Sequence, residues 1–236
     1  MHISPDSVIY WQNGFVVLNA TIVFTWIVMG LMTIFSWLVT RRLASDIALS
    51  RGQNFLESIV LGIVKQIREI SRYQPLRLLP FIGTLFLFVA VSNLLSVVPG
   101  FETPTGSLST TAALALCVFV SIPFFGISRT GFKHYLKNYI RPNPLMLPFN
   151  VMGEISRSLA LAVRLFGNIM SGSMIAAILL SVAPLVFPVI MHLFGLLTGL
   201  VQAYIFAILA AVYIAAGMEV QARKQEDSKK GETADG

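Results

Sequence analysis

Charge is scarce in this sequence. Asp, Glu, Lys and Arg make up only 12% of its 236 residues, about half the roughly 25% usual in soluble globular domains. So little charge excludes an ordinary soluble enzyme and a disordered protein. Cysteine is almost absent: Cys117 alone excludes a disulfide framework and any Cys-based metal site. It lies in a long apolar run and reads as a small packing residue. His2, His134 and His192 are too scattered for a metal cluster. There is no GxxxxGK[ST] phosphate loop, no HExxH pair and no glycine-rich dinucleotide fingerprint. Internal repeats are also missing. No cofactor, metal or nucleotide site is therefore expected, and the chain does not read as an enzyme.

Apolar residues fill the space: 56% of the sequence, with a mean hydropathy of +0.76. This is the composition of a polytopic membrane protein, and the fold class it implies is all-α. Five runs are long enough to cross a bilayer, at about 14–39, 79–98, 110–127, 147–180 and 184–217. The last two are too long to stand upright. A 34-residue helix measures roughly 51 Å against a hydrocarbon core of roughly 30 Å. They must tilt steeply, break or protrude. The first run has no basic residue before it and is too long for a signal sequence, so it reads as a retained span. Residues 1–225 form a single membrane domain, and 226–236 read as a disordered tail.

The cations fix the orientation. Seven lie after span 1 (Arg41, Arg42, Arg51, Lys65, Arg68, Arg72, Arg77) and four after span 3 (Arg129, Lys133, Lys137, Arg141). Four more are in the tail, Arg223, Lys224, Lys229 and Lys230. With five spans, all fifteen fall on one side, which the positive-inside rule makes cytoplasmic. The N-terminus is then outside and the C-terminus inside. The net charge of +6 is thus a topology signal, and nucleic acid is not an expected partner.

Ser50 to Arg72 places Phe55, Ile59, Ile63 and Ile67 at helical spacing among basic residues. It predicts an amphipathic helix on the cytoplasmic surface or against another subunit. Thr130 to Ile140 predicts a second interfacial piece. Pro99 to Ser107, with two Pro and two Gly, predicts a turn outside the membrane.

Two cations remain, Arg157 and Arg164, both inside span 4. Arg164 has apolar neighbours on both sides and lies about sixteen residues from either end of the span. An Arg at a helix centre costs roughly 2.5–3.5 kcal/mol on insertion scales. It cannot shed its proton to escape that cost. It is either a structural ion pair or part of an ion pathway, facing a moving carboxylate. Arg157, Asn168 and Ser171 lie within about 40° of it on the helical wheel, forming a polar stripe. Glu154 is about 80° away. It can pair with Arg157 at i+3 or serve the pathway from the cytoplasmic side. Gly153, Gly167, Gly172 and several serines, Ser173 among them, keep this helix slim enough for another helix to approach closely.

Span 5 carries Thr198, Gln202 and Tyr213 along one side. If spans 4 and 5 form a hairpin, Gln202 is level with Arg164 and can hydrogen-bond it. His192 near the outer end, and Asn93 in span 2, are either packing residues or pathway residues. No acid in either long span faces Arg164, so its partner is expected in another chain.

Arg164-Leu-Phe-Gly-Asn168, preceded by Glu154-Ile-Ser-Arg157, resembles the signature of subunit a of the rotary F-type ATP synthases. Gln202-Ala-Tyr-Ile-Phe206 is similar to that family's second signature. Asn93-Leu-Leu-Ser-Val-Val-Pro99 and Thr110-Thr-Ala-Ala-Leu resemble its span 2–3 region. The resemblance runs from about Leu79 to Val220. It implies a stator subunit in a bacterial inner membrane, with the c-subunit ring, the b-subunit stalk, other synthase subunits and lipid as partners. It further implies two ion half-channels separated by Arg164, with Gln202 beside it. The ion-translocation set is then Arg164, Gln202, Asn168, Glu154, Ser173, His192 and Tyr213. The ring-facing set is Arg157, Arg164, Ser171, Thr198 and Gln202.

Three positions depart from the family pattern. Ser173 stands where many members have an acid, Gly195 where several have His, and Ser158 where Pro is usual. They point to a divergent branch such as the N-type ATPases. They also leave the outer half-channel to other polar groups, with Ser173 and His192 as candidates. A stand-alone transporter would need a substrate site within the chain. A scaffold subunit would tolerate a neutral residue at 164.

Overall fold

A computed structural model describes residues 9–13, 16–41, 51–70, 75–98, 100–132, 146–182 and 187–234. A short antiparallel ribbon of β1 (Ile9–Asn13) and β2 (Val16–Asn19) leads into helix α1 (Ala20–Thr40). Then come α2 (Arg51–Ile70), α3 (Pro75–Leu95), α4 (Leu108–Thr130), α5 (Met146–Val182) and α6 (Phe187–Ala234). A 3-10 turn, Pro104–Gly106, precedes α4. Five of these helices are long and apolar enough to cross a membrane, over Ala20–Leu38, Leu76–Leu95, Leu108–Ser128, Pro148–Ser181 and Ile190–Met218. The five expected spans are all present.

The first span begins later than the apolar run suggests. Residues 16–19 pair with β1 instead of joining α1, because β-branched and aromatic residues around Tyr10, Trp11, Val16 and Val17 suit a pleated pair. At the other end, α6 continues as helix to Ala234. The composition of 226–236 predicts disorder, but Gln221 to Lys230 contains no Pro or Gly and is rich in good helix formers. Of the interfacial piece expected over 130–140, residues 133–140 lie outside the described residues.

α6 is the hub: it packs along α3 and also against α5, α4 and α2, while α3 in turn touches α1 and α2. One buried cluster joins Leu85, Phe88 and Val89 of α3 with Ala115 and Val118 of α4, Leu161 and Leu165 of α5, and Ala203 and Phe206 of α6. A second joins Leu78 and Ile82 with Ile122, Ala207, Ala211 and Ile214. Ile67 of α2 belongs to this second cluster. The later part of the apolar face of α2, Ile63, Ile67 and Ile70, therefore packs on its own chain. Between α2, α3 and α6 lies an apolar cavity of about 290 Å³. Arg77 donates to Ser128 Oγ at 2.8 Å and ties the start of α3 to the end of α4.

Small residues let the helices cross closely. A Cβ built on Gly217 of α6 meets Ile122 Cγ2 of α4 at 2.8 Å. Gly217→Leu is expected to destabilise the α4–α6 contact by about 1–3 kcal/mol through overpacking. Ile122→Ala in the same chain should recover most of that loss. Thermal unfolding of the detergent-purified complex checks both variants.

The turn before α4 is folded in among the helices. Pro104, Thr105 and Ser107 are buried, and the 3-10 turn packs against α1, α3, α4 and α5. The Phe101 ring meets Phe24 of α1 at 4.8 Å between centroids. Ser107 caps α4, its Oγ accepting from Ser109 N at 3.2 Å. The Pro/Gly content locates the turn correctly but says nothing of its depth.

Candidate functional site

The site is built on the last two helices. α5 has 37 residues and α6 has 48, and both are continuous. Their excess length over the roughly 30 Å core is therefore taken up by tilt or protrusion, not by a break. They pack antiparallel. Asn168 Nδ2 of α5 reaches the Thr198 carbonyl of α6 at a long 3.5 Å. The Arg157 guanidinium lies over the Tyr213 ring, 5.7 Å from its centre. Asn168 is four residues after Arg164, and Thr198 is four before Gln202. In an antiparallel pair this puts Arg164 and Gln202 at one level, as counting residues predicts.

Their side chains, however, point differently. Arg164 is exposed, and no described residue offers it a hydrogen bond or a counter-charge. Gln202 is only 6% exposed, on the inward face of α6 with Ala203 and Phe206. Its Nε2 has no partner among the described residues. The expected Arg164–Gln202 hydrogen bond is thus not made. Gln202 also does not share the uncovered face on which a ring was expected to meet it. Helical counting gives depth, whereas direction is set by α3.

α5 is poorly covered: only 6% of its apolar window is buried. Its open face carries Ser156, Ala160, Arg164, Gly167 and Ser171, all exposed. A Cβ at Gly167 or Gly172 would meet nothing within 4 Å. A slim, uncovered helix face inside a membrane is built for close helix packing. Arg157 is exposed beside it. Ser171 and Ser173 are exposed too, each donating to its own helix, Ser171 Oγ to Asn168 O at 3.2 Å and Ser173 Oγ to Met170 O at 2.9 Å. Thr198 Oγ1 likewise donates to Phe194 O at 3.0 Å. His192 is exposed, and Glu154 and Tyr213 are half-buried. Tyr213→Leu removes the ring beneath Arg157 and is expected to weaken the α5–α6 contact by about 0.5–2 kcal/mol. A double-mutant cycle with Arg157→Gln, read by thermal unfolding, measures that coupling.

Asn93 of α3 adds what the sequence left open. It is buried, and its Nδ2 donates to the Gly199 carbonyl of α6 at 2.9 Å. Two adjacent carbonyls of α6, those of residues 198 and 199, are therefore reached by amide side chains, one from α5 and one from α3. The helical spacing of Asn93 gave no sign of this, because its partner is 106 residues away. Among the described residues, no three His, Cys, Asp or Glu side chains gather to hold a metal.

The fold and site define a class: a multi-pass helical membrane protein with a fixed cation on an uncovered helix face. The sequence profile of the family described as "ATP synthase A chain" matches residues 22–215. The chain belongs to that family, and is a non-catalytic membrane subunit. It is 60% identical over 230 residues to "ATP synthase subunit a 2" of Acaryochloris marina, covering 97% of this chain and 98% of that protein. It is 58% identical over 230 residues to "ATP synthase subunit a" of Albidiferax ferrireducens, covering 98% and 100%. "ATP synthase subunit a 1" of Chlorobaculum parvum is 59% identical over 216 residues, 92% of this chain and 96% of that one.

Proposed function

We propose that the chain is the stator subunit that carries a coupling cation, a proton or sodium ion, to and from a rotating ring of c subunits. The observation that supports this most is Arg164, exposed and without a counter-charge among the described residues, on the slim face of α5. A fixed charge there is costly in lipid. A carboxylate on a neighbouring protein removes the cost.

The cation arrives through one half-channel and neutralises a ring carboxylate, which can then turn into lipid. Ionised, the same group would be held back by several kcal/mol. On its return it meets Arg164, which favours the ionised form and displaces the cation into the second half-channel. The guanidinium also bars direct leakage between the channels. One charge crossing 100 mV is worth about 2.3 kcal/mol, the work available as torque. Asn168 holds α6 against α5 at the level of Arg164, Gln202 offers its amide at the same depth, and Glu154 serves the cytoplasmic side. Ser173 and His192 serve the outer side, Arg157, Ser171 and Thr198 the ring-facing one. The departures at Ser158, Ser173 and Gly195 favour the N-type branch. The distribution of basic residues favours an N-terminus outside and a C-terminus in the cytoplasm of a bacterial inner membrane. The b-subunit stalk anchors the chain against the ring.

ATP-driven cation uptake into inverted vesicles carrying the whole complex tests this reading. Neutralising Arg164 should abolish it, and normal uptake by that variant would overturn the proposal. Gln202→Leu should slow uptake by a smaller factor, about three- to tenfold, the worth of one hydrogen bond.

A further inference from the structure

At the level of Arg164 and on its outer side, several side-chain atoms are buried and have no hydrogen-bond partner among the described residues. They are Glu102 Oε2, Thr105 Oγ1, Ser92 Oγ and Gln202 Nε2. Thr105 and Ser92 are 0% exposed. Buried polar atoms of this kind are satisfied by ordered water when nothing else serves. Inside a membrane protein, such groups mark water-filled paths.

Their order along the fold is directional. Glu102 and Thr105 belong to the turn that packs between α1, α3, α4 and α5. Ser92 lies in the last turn of α3, next to Asn93. Asn93 holds Gly199, and Gly199 is one helical turn from Gln202, which is level with Arg164. The line thus runs from the cation-free outer turn down to the depth of the fixed charge. Ser158, also buried and unpartnered, lies on the other side of that level. Ser173 and His192, exposed on the hairpin, are not on the line.

We infer that Glu102, Thr105 and Ser92 line the outer half-channel, with Glu102 as the carboxylate at its mouth. This rests on the reading of the chain as an ion-carrying stator subunit. Glu102 concentrates cations at the outer end of this line. Thr105, Ser92 and Gln202 hold the water that leads them to the ring. Charge at the mouth of a narrow cleft raises local counter-ion concentration and on-rates tenfold or more.

The test uses the complete complex in membranes. ATP synthesis driven by an imposed outer-side cation gradient is expected to fall about tenfold with Glu102→Gln. Thr105→Val should lower it as well, whereas Glu102→Asp should retain the parental rate. Running the assay with a proton gradient and with a sodium gradient separates the two cations. In a Cys117→Ser background, cysteines at 92, 102 and 105 should react with a membrane-impermeant thiol reagent applied from outside, as should an exposed Val98→Cys control. Parental synthesis by Glu102→Gln, or no labelling at 92, 102 and 105 beside a labelled control, overturns the inference. Arg164→Ala run in parallel keeps the two levels apart. If it retains coupled synthesis, the stator reading itself fails; if it alone loses synthesis, only this outer path fails.

Discussion

Arg164→Ala is expected to reduce ATP-driven cation uptake by about a hundredfold, to the background of vesicles without the complex. The size follows from the cost of an ionised group in the membrane centre, roughly 2.5–3.5 kcal/mol, at about 1.4 kcal/mol per factor of ten. In the proposed mechanism, no other described residue at that depth would take over from the guanidinium in favouring an ionised ring carboxylate. Arg164→Lys should not restore the rate. An ammonium gives up its proton readily when desolvated, and it offers a point charge where the guanidinium offers a flat fork of donors. The exposure of Arg164 makes this substitution informative. It removes no described hydrogen bond or ion pair within the chain, so the subunit should accumulate normally, as an immunoblot of the membranes will show. On the same proposal, passive cation leak through the membrane sector should rise, because the charge proposed to separate the half-channels is gone.

The second large effect is expected at Gly199. A Cβ there would lie 2.9 Å from both Cβ and Cγ of Asn93. Gly199→Leu should therefore push α6 off α3, costing about 1–3 kcal/mol in overpacking. The Asn93–Gly199 hydrogen bond is lost with it, roughly 0.5–1.5 kcal/mol more. The substitution should lower the amount of subunit in the membrane and abolish coupled uptake in what remains. Gly199→Ala should do less. Combined with Asn93→Gly it should pack normally, because both crowding atoms are then gone. Thermal unfolding of the purified complex for the two single variants and the pair gives the coupling directly. If Gly199→Leu unfolds at the parental temperature, the close contact is not as described.

Much of the architecture was legible because a bilayer imposes its own length scale. Each run of about 20 apolar residues became a helix, and each overlong run became one continuous rod. The level of Gln202 with Arg164 followed from counting residues along two helices. Direction did not follow. Gln202 faces inward because α3 lies behind α6, and a single sequence cannot place a third helix. The turn at 104–106 was found from Pro and Gly, but its burial comes from four helices closing around it. The β1–β2 ribbon was hidden inside an apolar run, where the residues suited to a strand and to a membrane helix are the same. Asn93 read as one more polar residue in a span, and only its distant partner gives it a role.

The bareness of α5 also bears on how the protein is made. A freshly inserted chain would hold Arg164 against lipid until another protein covers that face. Its hairpin is then least stable in the membrane before assembly. The lifetime of the newly made subunit therefore depends on how soon that partner arrives, and an orphan copy is a natural target for membrane proteases.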